Sequence, residues 1–287
     1  MDRFCVISNG DKEDSRSVAA YIRYYLEREG KSCLLLENCQ THKNGTYHFT
    51  DADKIPPDTE CALVLGGDGT MIQAAIDLVH RNLPILGINM GTVGFLTEIE
   101  QQNLDKALHH LICDEYTIEN RIMLKEMPEK ADGLTHPVYA LNDMVITKRG
   151  TCRLITMKVY INGELADVYR ADGLIISTPT GSTGYNLSAG GPVLVPHTHV
   201  TVITPICAHS LNKRSLVLSA KDQILLEIGR TKEAQEDTAV LVADGRNAGE
   251  LVTGDRLQIG VPDSMTQLIK VAGVSFYKRM RDKLNGN

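Results

Sequence analysis

The chain has 287 residues, 43% hydrophobic and 23% charged, which is ordinary globular composition and excludes a wholly disordered polypeptide. Lys and Arg total 30 against 36 Asp and Glu, a formal charge of −6 that argues against a nucleic-acid binder held by a general basic field. The 7 cysteines are odd in number and form no C-x-x-C pair, so a disulfide framework or zinc knuckle is not expected and a reducing cytoplasm is. No apolar run approaches a membrane span, and the first residues lack the apolar stretch of a secretory signal.

The first third alternates two periodicities. Residues 4–7 form a short apolar run closed by Asn9-Gly10. Residues 15–29 carry Val18, Ile22, Tyr25 and Leu26 at helical spacing, and Gly30 stops the pattern. Residues 32–36 read as a second strand and 37–59, with Asn44-Gly45 and Pro56-Pro57, as an exposed loop. Residues 61–65 are a strand running into Gly66-Gly67-Asp68-Gly69-Thr70; the apolar stripe Met71, Ile72, Ala75, Ile76, Val79 follows, then a strand at 84–88. Such alternation predicts a parallel sheet covered by helices. From about residue 118 the chain turns to short β-like runs (138–141, 144–147, 154–161, 174–177, 200–204, 216–218, 224–228, 239–242, 257–261), with turn signals at Asn162-Gly163 and Thr253-Gly254-Asp255. A single late helix is expected at 276–284, with Phe276, Tyr277, Met280 and Leu284 buried and residues 278–283 forming a solvated charged face. The expected fold class is α/β: an N-terminal parallel-sheet domain at 1–118, a β-rich domain at 119–273, and a C-terminal helix within 274–287 packing back on the first domain. Runs such as 257–261 and 268–271 exceed what a small domain hides, so a homo-oligomer, dimer or tetramer, is expected.

Four segments carry chemistry. At the strand–GGDGT–helix corner, Gly66, Gly67, Gly69 and Thr70 bring backbone N–H groups to a helix N-terminus, which favours a phosphate. No Gly-Lys-Ser/Thr follows, so this is not a Walker A loop, and the G-x-G-x-x-G spacing is absent. Asp68 either N-caps the helix or, being a poor neighbour for phosphate, serves as a proton acceptor or metal contact. The segment Asn89-Met90-Gly91-Thr92-Val93-Gly94-Phe95-Leu96-Thr97 follows the next strand and sits at the same sheet edge, either as a ligand loop or as a Gly-rich turn. Leu141-Asn142-Asp143 is a plain turn or a grip on ribose or base. Residues 170–192 set hydroxyls, glycines and one aromatic, Tyr185, in an uneven order unlike a linker. His197 and His199 lack a third metal ligand, and Cys152 and Cys207 read as small apolar fillers.

In this order and at these separations, GGDGT, NMGTVGFLTE, LND and DGLIISTPTGSTGYNLSAGGP resemble the NAD kinase family. The resemblance runs from about Cys61 to the C-terminus, with a looser match in the N-terminal sheet. The fourth segment is specific to that family; GGDGT alone also resembles the loop of a superfamily including lipid kinases and phosphofructokinases. The resemblance implies an ATP-dependent kinase that phosphorylates the adenosine ribose 2′-hydroxyl of NAD to give NADP. It implies Asp68 as the base, with Gly69 beside it, and Asn142 and Asp143 on the adenosine. Arg153, Arg170 and Asp172 match further substrate positions. Thr183, Gly184, Tyr185, Asn186, Leu187 and Ser188 match the loop around the dinucleotide. Arg246 departs from the family's frequent glutamine, and would either add charge near phosphate or point to solvent. A divalent cation, Mg²⁺, is expected on the nucleotide with no dedicated protein metal site. The expected partners are NAD and ATP, with no nucleic acid and no membrane. Two rival readings are a lipid or sugar kinase, against which the polar-aromatic loop argues, and a non-catalytic NAD or NADP sensor, against which Asp68 argues.

Overall fold

The computed structural model describes residues 1–8, 13–37, 41–43, 46–91, 94–128, 137–150, 154–210, 212–231, 236–271 and 273–284. They fall into two compact units, Met1–Arg121 with Ser264–Asn287, and Ile122–Asp263.

The first unit is built on one sheet, in the order Ser32–Glu37, Arg3–Ser8, Cys61–Gly66, Ile85–Asn89, Thr266–Lys270, Thr117–Arg121, with Ile99–Glu100 also pairing Ile85–Asn89. All neighbours run parallel except Thr117–Arg121 against Thr266–Lys270. Strands buried on both faces read as continuous apolar runs, as CALVLG and ILGIN do. One face, with Phe4, Val6, Leu63, Leu65, Leu86 and Ile88, packs on Ile22 and Leu26 of helix Glu13–Arg28 and on Leu108 and Leu111 of helix Leu104–Ile112. Helix Asp68–Asp77 approaches the sheet at Gly87, where a Cβ would lie 2.8 Å from the Met71 sulfur. Helix Phe276–Leu284 completes the unit.

The second unit holds two six-stranded antiparallel sheets. One runs Val138–Ala140, Leu124–Pro128, Arg256–Gly260, Ile224–Ile228, Ile155–Ile161, Glu164–Ala171; the other Leu216–Ser219, Val200–Ile206, Gly173–Ser177, Asp143–Lys148, Thr238–Ala243, Arg246–Val252. Side chains from both share one apolar core that includes Met157, Leu226 and Leu257 from the first and Met144, Ile176 and Leu241 from the second.

An α/β unit and a β-rich unit are what the alternation and the later β-like runs predict. Three details differ. The boundaries at 118 and 273 move to 121 and 263, because Thr266–Lys270 joins the parallel sheet instead of the β-rich unit. Helix Leu104–Ile112 was not anticipated, although Leu104, Ala107, Leu108 and Leu111 stand at helical spacing and are buried. The argument for an oligomer from surplus apolar runs loses its basis: Leu257, Ile259, Leu268 and Ile269 are all buried within the chain's own cores.

Candidate functional site

In the first unit the site begins where strand Cys61–Gly66 meets helix Asp68–Asp77. Gly67 occupies the N-cap position in extended backbone, so Asp68 is the first helical residue and does not cap the helix. The chain turns tightly here because Gly66 leaves room for Thr70: a Cβ on Gly66 would lie 2.3 Å from the Thr70 hydroxyl. A Cβ on Gly67 or Gly69 would meet nothing within 4 Å, so both glycines present bare backbone to open space beside the first amides of the helix. That is the geometry of an anion cradle at a helix N-terminus.

The Asp68 carboxylate turns instead toward the second glycine-rich segment. Its Oδ2 accepts the Phe95 N–H at 2.7 Å, and its Oδ1 accepts those of Leu96 at 3.0 Å and Thr97 at 3.4 Å. Gly94 makes this possible, since a Cβ there would lie 1.8 Å from Asp68 Oδ1. The same turn is gripped from its carbonyl side by the C-terminal helix. Arg279 donates to the Phe95 carbonyl at 3.1 Å, to the Thr97 carbonyl at 2.7 Å and to the Glu98 carboxylate at 2.7 Å. Glu98 also accepts from Lys270 at 3.0 Å; burial holds the Lys270 ammonium below its ordinary pKa. Lys278, Arg281, Asp282 and Lys283 form the exposed charged face expected of this helix, and Arg279 and Tyr277 depart from the expectation. Arg279 is 8% exposed whereas Tyr277 is 61% exposed, and Phe276 is half-buried against Phe95 at 6.3 Å between ring centres. Thr92 and Val93 lie outside the described residues.

In the second unit, three segments meet at one end of a sheet. Asp143 pairs with Ser177, and Met144 with Ala243, so the Leu141–Asp143 turn, the long hydroxyl-rich loop and the Asp244-Gly245 turn adjoin. Asp244 and Gly245 both adopt positive φ, 45° and 79°, the pairing a tight hairpin turn requires. The Asp244 carboxylate accepts the N–H groups of Leu141 at 2.7 Å, Asn142 at 2.9 Å and Asp143 at 3.0 Å. Burial raises its pKa, outweighing those three amides and the nearby Arg246 charge. Burial, and then the Asp244 charge, push the buried Asp143 carboxyl up to about 7. The Asn142 carbonyl accepts the Thr178 N–H at 2.9 Å, and the half-buried Asn142 side chain takes no part in these bonds.

The long loop spends much of its polarity on itself. Thr178 donates its hydroxyl to the Leu141 carbonyl at 2.6 Å, and Ser182 to the Pro179 carbonyl at 2.7 Å. Asn186, fully buried, donates to the Ser182 and Pro192 carbonyls and accepts from the Thr204 hydroxyl at 2.7 Å. Gly181 sits against Asn142, where a Cβ would lie 2.3 Å from its carbonyl oxygen. Tyr185, Gly184 and Ser188 remain exposed, and Thr183 and Leu187 half-buried.

Arg170 and Asp172 lie at the opposite end of strand Gly173–Ser177, where Gly173 pairs with Thr147; four strand steps separate the two ends by about 13 Å. Asp172 is bound to Lys148 at 2.5 Å, and Arg170 is exposed. Arg153 and Cys152 fall outside the described residues. Cys207 is exposed at a positive φ of 46°, so it is not an apolar filler. His197 and His199 are both exposed. Sequence reasoning passed over three residues: Gly94, Arg279 and the clamp role of Asp244. Only Gly94 left a local signal, as a glycine in a segment already singled out.

The profile of the ATP-NAD kinase N-terminal domain matches residues 20–116, and that of the ATP-NAD kinase C-terminal domain residues 141–271. An NAD kinase of Lachnoclostridium phytofermentans is 43% identical over 285 residues, covering 99% of both chains. One of Lachnospira eligens is 36% identical over 293 residues, 99% of this chain and 100% of that one. The fold is shared with the crystal structure of yeast NADH kinase complexed with NADH, at a TM-score of 0.82 and 23% identity, over 99% of this chain and 88% of that one. An NAD kinase from Archaeoglobus fulgidus in complex with ATP aligns at a TM-score of 0.72 and 23% identity, covering 99% and 98%. With matched profiles in both halves and full-length relatives above a third identical, the chain belongs to the NAD kinase family.

Proposed function

We propose that this chain transfers the terminal phosphoryl group of ATP to the 2′-hydroxyl of the adenosine ribose of NAD, giving NADP, with Asp68 as general base. The observation that carries this reading is the GGDGT corner. Bare glycine backbone opens on a helix N-terminus, and a carboxylate stands beside it on amides of a second loop. Phosphoryl transfer asks a protein mainly for positioning, charge neutralisation and a proton acceptor near the attacking oxygen. Gly66, Gly67, Gly69 and Thr70 would cradle the donor's phosphates, and Asp68 would take the hydroxyl proton as the new phosphorus–oxygen bond forms.

The dinucleotide is assigned to the second unit. Asn142 offers a side-chain amide to the adenosine, and Asp143 a carboxyl for hydroxyls. Tyr185 offers a ring face, with Thr183, Gly184, Leu187 and Ser188 around it. Asn186 shapes this loop from within, because its side chain is already satisfied. Arg246 sits at the hairpin that clamps Asn142, close enough to act on the Asp244 charge. Arg153, Arg170 and Asp172 complete the assignment on resemblance.

Among the described residues no three His, Cys, Asp or Glu side chains gather as a cation cage. The open cradle at Gly67 and Gly69 suits phosphate oxygens, so Mg²⁺ belongs to the nucleotide, where it neutralises phosphate charge. A homo-oligomer is supported by the exposed Leu216 and Val217 on an edge strand and by the separation of Arg170 and Asp172 from Asn142. A cytoplasmic setting is supported by five cysteines that are free among the described residues.

The deciding experiment incubates the purified chain with NAD, ATP and Mg²⁺ and reads product with an NADP-specific dehydrogenase. ATP-dependent signal is expected; none, from folded protein that binds both nucleotides, would sink the reading. Replacing ATP by inorganic polyphosphate in the same assay identifies the donor.

A further inference from the structure

The Phe95–Leu96 peptide unit stands between two charges. Its carbonyl oxygen accepts from Arg279 at 3.1 Å, and its N–H donates to Asp68 at 3.0 Å. One residue on, the Thr97 N–H also faces Asp68, and the Thr97 carbonyl, which belongs to the next peptide unit, accepts from Arg279 at 2.7 Å. A guanidinium on the oxygen side of a peptide polarises it and strengthens its N–H as a donor. The turn is thus held from its carbonyl side by the C-terminal helix, while its amide side holds the carboxylate.

We propose that Arg279 is a positioning residue for Asp68, fixing the 95–97 backbone so that its amides orient the carboxylate. The inference rests on the reading of Asp68 as the base. Two separate guanidinium nitrogens share the task, Nη1 on both carbonyls and Nη2 on the Glu98 carboxylate; a lysine would bring its three donors to a single point. A buried ion pair contributes little net stability compared with apolar residues of similar volume, and here Arg279 and Glu98 are 8% and 1% exposed. Two further contacts from the same helix converge on this turn. Phe276 packs against the Phe95 ring, and the Lys283 ammonium lies 5.1 Å from its centre. The helix that follows the last strand of the chain therefore reaches back across more than 180 residues to the loop that holds the base.

The test is a double-mutant cycle on the full chain. Arg279→Lys and Arg279→Met are made alone and on Asp68→Asn, with kcat, KM for NAD and melting temperature measured for each. Arg279→Lys should stay folded, lose about tenfold or more in kcat, and keep KM for NAD within about threefold. On Asp68→Asn it should change the residual turnover by less than about twofold, because a residue acting through Asp68 has nothing left to position. Arg279→Met should lose more; if it fails to fold, the lysine variant, which keeps Glu98 paired, carries the cycle alone. Equal losses from Arg279→Lys in both backgrounds, or a rise in KM matching the fall in kcat, would overturn the proposal while an inactive Asp68→Asn leaves the base reading standing. An Asp68→Asn enzyme keeping more than about a tenth of wild-type turnover would overturn both.

Discussion

Asp68 in the first unit and Asp244 in the second hold the same local geometry on different backbone supports. Each carboxylate accepts three consecutive backbone amides, those of residues 95–97 and of residues 141–143. Asp244 is locked in left-handed backbone at a hairpin corner, and its carboxylate is enclosed deeply enough that burial raises its pKa. Asp68 opens a helix whose flanking glycines face empty space. A carboxylate on a row of amides is therefore no mark of catalysis by itself. What separates clamp from base is the support: Asp244 sits at a hairpin corner and is spent on the Leu141–Asp143 turn, while Asp68 opens a helix whose bare glycines leave a ligand room to come.

The comparison breaks most sharply at Asp68. Asp68→Asn should lower turnover by about 10²–10⁴, the usual worth of general-base assistance, with NAD binding retained. Because Asp68 does not cap its helix, the familiar tolerance of asparagine at caps offers no shelter here. The asparagine NH₂ would face a backbone N–H, so a stability loss of about 1 kcal/mol should accompany the lost turnover. Steady-state kinetics with a thermal melt check both. Turnover above about a tenth of wild type would make Asp68 a second clamp, like Asp244.

Asp244 should show the reverse balance. Asp244→Ala leaves three amides without an acceptor and places alanine at positive φ, a loss of about 2–4 kcal/mol. Urea unfolding should show it, whereas Asp244→Asn, which tolerates that backbone and keeps one acceptor oxygen, should lose about half as much. In folded Asp244→Asn protein, kcat should change less than KM for NAD, because the Asn142 turn loosens and Asp68 is untouched. A kcat loss comparable to that of Asp68→Asn would erase the distinction.

Much of this contrast lies beyond what neighbouring residues can reveal. The strand–GGDGT–helix corner was legible because its causes are local: an apolar run, glycines, then an apolar helical stripe. The partners of Asp68 are 27, 28 and 29 residues away, those of Asp244 between 101 and 103, and those of Arg279 between 181 and 184. No spacing rule links them. Arg279 was misread for the same reason, since a charge in a charged run reads as solvated unless its distant partners are known. Asn186 shows the converse: its polarity draws attention as a ligand contact, yet the loop's own carbonyls and Thr204 consume it. Helix Leu104–Ile112 was different, being fully legible in its own periodicity and overlooked.

Protons alone also probe the enclosure of the second unit. Burial pushes Asp143 and Glu126 each up to about 7, and raises Asp244. Between the ordinary carboxyl range near 4 and about pH 7, the folded chain keeps protons that the unfolded chain has lost. Stability from these groups is then complete below about pH 4 and is lost as pH rises through about 7. Glu227, held low by Lys158 and Arg256, has the opposite sign, but its window lies below the ordinary range and does not overlap. The melting temperature should therefore fall by about 3 °C or more between pH 5 and pH 8, and Asp143→Asn with Glu126→Gln should flatten the slope. An unchanged slope in that double variant would mean the carboxyls are better solvated than their enclosure implies.

The smallest expected effect falls on Tyr185, and it sharpens the contrast between polarity consumed by the fold and surface left for a ligand. Around it Ser182 and Asn186 are buried and satisfied, while Tyr185 is 49% exposed, the one aromatic side chain between Asp172 and Pro192. A large ring left half in water by a loop so thoroughly bonded has little to give the fold, so Tyr185→Ala should leave the melting temperature within about 1 °C of wild type. Stacking of a base on an aromatic ring is worth about 1–3 kcal/mol, so the same change should raise KM for NAD about tenfold and leave the ATP dependence unaltered. Tyr185→Phe should behave as wild type, because stacking needs the ring and not the hydroxyl. A loss in Tyr185→Phe equal to that in Tyr185→Ala would move the contact from the ring face to the phenol. An unaltered KM in both would place the dinucleotide's rings elsewhere on the unit, with Asn142 the next residue to test.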